Sequence, residues 1–435
     1  MLTVPKGLNP RWGWVANLLL ACLSVIAILL VLEAGIRLLG LTPAAGPFDP
    51  NVPDADLGMS PRRAHSQKAD FGEYQGVLIQ QTNNLGFYQK QDTALEPTPG
   101  VERVVVLGDS FTAGATNADE TFPGVLGRLL NEAHPGRPVE MLNAGAGRYS
   151  PYQCYVRLAR QIMPLQPRHV ILAEYVGNDY LDMIRQDDRP YLTELPNGSF
   201  QAHRPRFVTY VDPSEPPGLL DQSRVLAVFR GFLGPTIQYQ FSRVMILRDN
   251  LSGFGYGTGA ILQYIKQVAA LDRVGHGLML QILHQQIWFE HFPETLPLSL
   301  KINRHTIELF RDLCRKNGIR LTYTVIPSKD MIEPERLRPL MDEIAKRSPS
   351  TTLEKLAAFD EKLTDETMRA CGELGVEYID LRHGLRSRRN GAEFYYPKDM
   401  HMNPAGNRAV AETLAEALLA GKLDAHNGRQ LVGQK

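Results

Sequence analysis

Three stretches of the 435-residue chain set reactive side chains directly after short apolar runs. Arg103–Leu107 leads into Gly108-Asp109-Ser110-Phe111-Thr112-Ala113-Gly114. A serine at the carboxyl end of a strand, where a helical segment begins, is placed to act as a nucleophile. Glycines on either side allow a tight turn and close substrate approach. Thr112 stands where a Gly-x-Ser-x-Gly elbow needs its second glycine, which argues against that elbow. Alone, the tripeptide reads equally well as a helix-capping turn.

The run His169–Tyr175 leads to Gly177-Asn178-Asp179, where a side-chain amide can donate to a developing oxyanion. By composition alone this is an ordinary turn. Near the end of the chain stands Asp399-Met400-His401-Met402-Asn403-Pro404. An aspartate two residues before a histidine can fix its tautomer and leave the other ring nitrogen to serve as base. Asp109 and Asp179 are expected to hold turns. The argument lies in the conjunction of serine, asparagine and Asp-x-His, each at the end of a predicted strand or just before a capped helix.

The elements that must position them alternate. Strands are predicted at Arg103–Leu107, Val139–Leu142, His169–Tyr175, Ile319–Ile326 and Val376–Leu381, and helices at 119–131, 151–163, 301–317 and 353–374. A last helix follows Asn403 as cap and Pro404 as first residue, and ends near Gly421. Such alternation predicts a parallel sheet covered by helices on both faces, with functional groups at the carboxyl ends of the strands.

At this point the sequence resembles the SGNH, or GDSL-like, hydrolase family. Gly108-Asp109-Ser110, Gly177-Asn178-Asp179 and Asp399-Met400-His401 match its first, third and last blocks. The resemblance covers residues 82–185 and 301–421. It extends to the lead-in Asn83–Phe87 (NNLGF) and to an N-terminal span ending in Glu33, Arg37 and Gly40, as in membrane-anchored bacterial members. It implies a flavodoxin-like three-layer α/β sandwich with a parallel sheet. It also implies a Ser110–His401–Asp399 triad, and an oxyanion hole of the Ser110 and Gly147 N–H groups and the Asn178 amide. The second block departs from the pattern: in 143–151 (NAGAGRYSP) related proteins place the oxyanion glycine one residue later, where Arg148 stands. Gly147 or the Arg148 backbone is then the donor. Gly145-x-Gly147 lacks the third glycine and later acid of a dinucleotide site.

The expected chemistry is ester hydrolysis or O-acyl transfer on an acylated carbohydrate of the envelope or of a secreted polysaccharide, with a lipid ester as a further option. No metal or organic cofactor is required. By analogy, envelope polysaccharide machinery is the implied partner. The altered second block keeps open a different class: a non-catalytic, glycan-binding envelope component with an impaired site.

Composition bounds these readings. Lys plus Arg and Asp plus Glu each number 47, so the chain has no net charge to attract nucleic acid. Residues 12–32 carry no charge and as a helix span about 31 Å, the thickness of a bilayer's hydrocarbon core. Trp12 and Trp14 suit an interface, and Lys6 and Arg11 precede the run, which predicts a single-pass inner-membrane anchor with everything after residue 40 outside. The run is long for a cleaved signal peptide. Leu19-Leu20-Ala21-Cys22 resembles a lipoprotein box, but apolar residues continue from Leu23 to Leu32.

The expected organisation is a cytoplasmic N-terminus (1–11), an anchor (12–39), a spacer and irregular lead-in (40–99), and the catalytic domain in two parts (100–184 and 301–423). A helical cap insertion (185–300) separates those parts, and a tail (424–435) follows. Within the cap, helices are predicted at 221–250 and 259–292, joined by the glycine-rich stretch Gly253–Gly259, which lacks the Lys-Ser/Thr ending of a phosphate loop. Cys154, Cys314 and Cys371 fit no metal spacing and cannot all pair with one another, so they read as mostly buried thiols. His284 and His291 share a helix face without a third ligand in view, which predicts ordinary packing.

Overall fold

The computed structural model describes residues 51–69, 73–186, 189–205, 256–275, 278–346, 352–397 and 399–421, with a few isolated positions besides. All elements below belong to one compact unit, Pro50–Tyr210 with Ile246–Lys435.

Two antiparallel hairpins come first, β1 (Asn51–Asp54) with β2 (Gly58–Pro61) and β3 (His65–Ala69) with β4 (Leu78–Thr82). The main alternation follows: β5 (Glu102–Gly108), α1 (Ser110–Ala113), α2 (Phe122–Ala133), β6 (Val139–Gly145), α3 (Pro151–Arg157) and β7 (His169–Tyr175). After α4 (Asp179–Ile184) comes a hairpin, β8 (Tyr191–Glu194) with β9 (Phe200–His203). Helices α5 (Thr258–Gly275), α6 (Leu278–His291) and α7 (Thr295–Lys316) lead to β10 (Arg320–Ile326). The chain continues through α8 (Lys329–Ile332), α9 (Pro334–Ala345), α10 (Leu353–Leu374), β11 (Glu377–Asp380), α11 (Leu381–Arg389) and α12 (Pro404–Gly421).

The main sheet is parallel throughout, in the order β11-β10-β7-β5-β6. Its central strands read as near-continuous apolar runs because both faces are covered: β7 is buried along its whole length, and β5 and β10 at all but their first residue. In this sheet β5 has β6 on one side and β7 on the other. Right-handed crossovers therefore send α2 to one face and α3, α7 and α10 to the other. The reversal of direction leaves a crevice above the carboxyl end of β5, where such sheets bind their ligands. Ser110 begins the helix that follows β5.

The predicted parallel α/β sandwich is thus observed, and all five predicted strands are present. The final helix starts at Pro404, and Gly406 N donates to Asn403 Oδ1 (3.0 Å), the predicted cap bond. Cys154, Cys314 and Cys371 are free, buried thiols.

The lead-in differs from expectation, since residues 51–82 form hairpins rather than irregular chain. Their strands are rich in Asn, Asp, Pro, Gly and Gln, types poor in intrinsic strand preference, and tertiary bonds hold them instead. Leu57 O accepts from Gln153 Nε2 (2.5 Å), and Met59 O from Tyr149 Oη (2.6 Å). The Asn83–Phe87 lead-in has a local purpose: Asn83 Oδ1 accepts from Leu85 N and Phe87 N, both at 3.0 Å, and so winds the turn. Phe87 then enters the core, and Tyr88 N donates to Asn143 O on β6 (2.9 Å).

In the insertion, α5 and α6 fall within the predicted second cap helix, and α7 begins six residues before the predicted 301. The predicted cap helix 221–250 lies outside the described residues, as do Gly253 and Gly255 of the glycine-rich stretch. The anchor at 12–32 lies largely outside them too; its described positions, among them Leu20, Leu23, Ile28 and Val31, are helical and exposed. Among the described residues no helix is long and apolar enough to cross a membrane.

Candidate active site

The serine, histidine and Asp-x-His aspartate meet. His401 Nε2 lies 2.8 Å from Ser110 Oγ, and His401 Nδ1 lies 2.5 Å from Asp399 Oδ1. One ring nitrogen thus faces the hydroxyl while the other faces the carboxylate that fixes its tautomer.

Each member is held by local structure. Asp109 caps α1 by accepting from Phe111 N at Oδ1 (2.8 Å), which fixes the turn that carries Ser110. The Asp399–His401 segment is the tip of a loop closed by a bridge between Tyr395 and Met402, and Asp399 Oδ1 also accepts from His401 N (2.7 Å). Lys329 Nζ donates to the carbonyls of Tyr396 (2.7 Å) and Pro397 (3.2 Å) beneath it. From the lead-in, Glu73 Oε2 accepts from Asp399 N (2.9 Å). The Phe111 ring, stacked on Tyr175, lies 4.8 Å from the imidazole and packs against it.

The electrostatics follow from these contacts. Burial alone would lower the His401 pKa; the hydrogen bond to Asp399 and the negative charges of Asp399 and Asp109 outweigh it and raise the value. Asp399 is moved the other way: burial pushes it up, but the His401 bond and charge bring it below the ordinary carboxylate range. Burial pushes Asp109 up to about 7, against the opposing hydrogen bond from Phe111 N.

Asn178 follows β7, next to β5 in the sheet. Its Nδ2 donates to Asp182 Oδ2 (2.7 Å) and, at longer range, to Asp179 Oδ1 (3.4 Å). Asp179 Oδ2 accepts from Tyr175 N (2.9 Å), so Asp109 and Asp179 do hold turns.

The second block lies at the end of β6. Its loop is anchored by buried Arg157, whose Nη1 donates to Ala144 O (2.7 Å) and whose Nη2 donates to Gly86 O (3.2 Å). The guanidinium also lies over the Phe87 and Tyr149 rings, at 5.6 and 5.8 Å. Gly145 abuts α1: a Cβ there would come within 2.3 Å of Ala113 N. Gly147 faces open space and has no positive φ. The left-handed backbone falls instead on Arg148, at φ +67° with an exposed side chain. The conformation that favours glycine therefore occurs where the resemblance expects the glycine, and an arginine adopts it.

Sequence reasoning did not find Glu73, Phe111, Lys329, Arg157 or Asp182. Of these only Asp182 had a readable signal, its four-residue spacing from Asn178, which brings the two side chains together once the segment is helical. His284 and His291 pack as expected, His284 beside the Tyr264 ring and His291 beside Tyr264 and Phe292. Among the described residues no group of three or more His, Cys, Asp and Glu is arranged to hold a metal ion.

The family model of the SGNH hydrolase-like domain of the acetyltransferase AlgX matches residues 296–435, a range that includes Asp399 and His401. Residues 296–435 are thus similar to an SGNH hydrolase-like domain. No curated protein matches the sequence. Among solved structures the chain is similar to LAE5, an α/β hydrolase enzyme from the metagenome of Lake Arreo, at 11% identity and a TM-score of 0.36, over 73% of this chain and 94% of that one. It is also similar to the acetyl xylan esterase AlAXEase (13%, TM-score 0.35, 73% and 99%). A third is Axe2, an acetylxylan esterase from Geobacillus stearothermophilus (9%, TM-score 0.34, 72% and 93%).

Proposed function

We propose that this protein is a serine-dependent carbohydrate O-acyl esterase or O-acyltransferase working through Ser110, His401 and Asp399. The observation that carries the reading is the continuous contact from Asp399 Oδ1 to His401 Nδ1 and from His401 Nε2 to Ser110 Oγ. The acetyltransferase AlgX named by the matching family model supports acetyl as the acyl group.

In this mechanism Ser110 Oγ attacks the acyl carbonyl and its proton passes to His401 Nε2. Asp399 stabilises the imidazolium. The Ser110 N–H, the Asn178 amide and the Gly147 N–H hold the oxyanion, each worth about 3–4 kcal/mol. His401 then returns the proton to the leaving oxygen, and the acyl-serine forms. Water or a sugar hydroxyl, deprotonated by His401, attacks that acyl-serine and releases Ser110. An inner-membrane anchor at 12–32, with the SGNH-like domain on the outer side, completes the proposal; its support is the uncharged run after Lys6 and Arg11.

The test is turnover of p-nitrophenyl acetate by the full chain beside Ser110→Ala and His401→Ala, with labelling of Ser110 by a serine-reactive phosphonate. Loss of both signals in both variants is expected. A wild type that neither turns over nor labels sinks the proposal and leaves a glycan-binding protein. Acetylated oligosaccharide then separates release of acetate from its transfer to a second sugar. Alkaline carbonate extraction that frees the full chain from membranes would remove the anchor.

A further inference from the structure

Asn178 is the residue before α4, yet its side chain makes no capping hydrogen bond to the backbone N–H groups of that helix. An asparagine in this position ordinarily caps the helix with its side-chain oxygen. Here the amide is turned one helical turn onward, and Nδ2 donates to Asp182 Oδ2 at 2.7 Å. The carboxylate is itself tied down: Arg185 Nη1 donates to its Oδ1 (3.3 Å), and Arg189 Nη1 pairs with the same oxygen at 2.9 Å. Asp182 and Arg189 are both buried.

We infer that Asp182 is a positioning residue, which fixes the orientation of the Asn178 amide so that its second N–H serves the oxyanion. A carboxylate accepts and cannot donate, so it selects the amide nitrogen over the amide oxygen. Without it only the longer bond from Nδ2 to Asp179 Oδ1 (3.4 Å) opposes a turned-over amide, which would offer an acceptor to the oxyanion and oppose the reaction. The two guanidiniums offset the charge that a bare carboxylate would bring near a second negative centre. Arg189 lies two residues before β8, so the root of the insertion helps to set the donor. The inference rests on the acyl-transfer reading, in which Asn178 touches the reacting oxygen and Asp182 acts only through Asn178.

The experiment is a double-mutant cycle on the full chain with Asp182→Ala, Asn178→Ala and the pair, and with Asp182→Asn as an isosteric variant should the alanine not fold. The readouts are kcat and KM for p-nitrophenyl acetate, the rate of Ser110 phosphonylation, and thermal melting. Asp182→Ala should lower kcat and the labelling rate by about tenfold or more with KM within about twofold, and Asn178→Ala by about a hundredfold. In the Asn178→Ala background the second substitution should add less than about twofold. Losses that multiply, or an Asp182 variant that folds and reacts like wild type, would overturn the inference. A merely structural role would lower melting temperature and activity alike in both backgrounds. A wild type that neither labels nor turns over would instead overturn the underlying reading, and the inference with it.

Discussion

His401 Nε2 lies 2.8 Å from Ser110 Oγ across 291 positions of sequence. The approach is built from both ends. Asp109 winds the turn that presents the hydroxyl, while Lys329 and Glu73 hold the loop that presents the imidazole. The start of α2 is tied to the same loop region, since Phe122 N donates to Asn407 Oδ1 (2.9 Å) and Asn407 Nδ2 donates to Met402 O (3.0 Å).

In the proposed mechanism the raised pKa of His401 sets the acid limb of the pH profile. The base form is the neutral ring. A raised pKa keeps the ring protonated to higher pH, so kcat/KM should fall as pH drops through a value above the ordinary imidazole pKa of about 6.5. Asp399→Asn removes the hydrogen-bonded anion and leaves burial, which lowers the pKa. The limb should therefore move to lower pH, while the plateau falls by on the order of 10²–10⁴. A limb that stays in place would show that another group controls it.

Asp109 should make folding stability depend on pH. Burial raises its folded pKa to about 7, above the unfolded carboxyl value of about 3.9. The folded state thus binds the proton more tightly. That contribution is fully present below about pH 4 and is lost as pH rises through about 7. Asp109→Asn keeps an oxygen for Phe111 N and carries no charge. Its stability relative to wild type, read from the melting temperatures, should be greater at pH 8 than at pH 4, by roughly 3–4 kcal/mol. Parallel melting curves for the two proteins across that range would contradict this.

Arg157 should be needed for stability because it satisfies carbonyls that water cannot reach. Arg157→Met keeps the packing against Phe87 and Tyr149 but orphans Ala144 O and Gly86 O, a loss of about 2–4 kcal/mol. Arg157→Lys keeps the charge, loses the fork and should fall between. Chemical denaturation gives the ranking, and equal stability of Met and Lys variants would show that the bonds contribute little.

What could be read from the sequence was whatever repeats locally. The five parallel strands announce themselves as apolar runs because both faces of the sheet are buried, and α12 carries its own cap and stop in Asn403, Pro404 and Gly421. Ser110, Asn178, Asp399 and His401 were legible for a related reason: each sits where an element begins or ends. The hairpins of residues 51–82 were not legible, because β1 to β4 have no apolar period and are held by partners such as Gln153 and Tyr149, about a hundred positions away in the chain. Helix α11 was missed because four arginines in Leu381–Arg389 mask its apolar face, where Leu381 and Leu385 are buried. Glu73 and Lys329 act on the site through backbone groups of another loop, a relation that only the assembled fold creates.

The loop after β6 offers the sharpest separation of backbone from side chain. Arg148 is held at φ +67°, a region that costs an L-residue about 1–2 kcal/mol. Arg148→Gly relieves that strain, and the greater freedom of glycine in the unfolded chain takes back about 0.5–1 kcal/mol. The variant should therefore be as stable as wild type or up to about 1 kcal/mol more stable, with labelling of Ser110 retained. Gly147→Ala puts its Cβ into open space and should be close to neutral in stability. Gly145→Ala drives a Cβ to 2.3 Å from Ala113 N and 2.6 Å from Thr112 C, backbone atoms of the helix that carries Ser110. It should cost about 3 kcal/mol or more and slow labelling by displacing that helix. Urea denaturation with timed phosphonate labelling of the three variants gives both numbers. If Arg148→Gly lost labelling while keeping its stability, the arginine side chain would be required for reaction at Ser110, and the backbone argument for that position would fall.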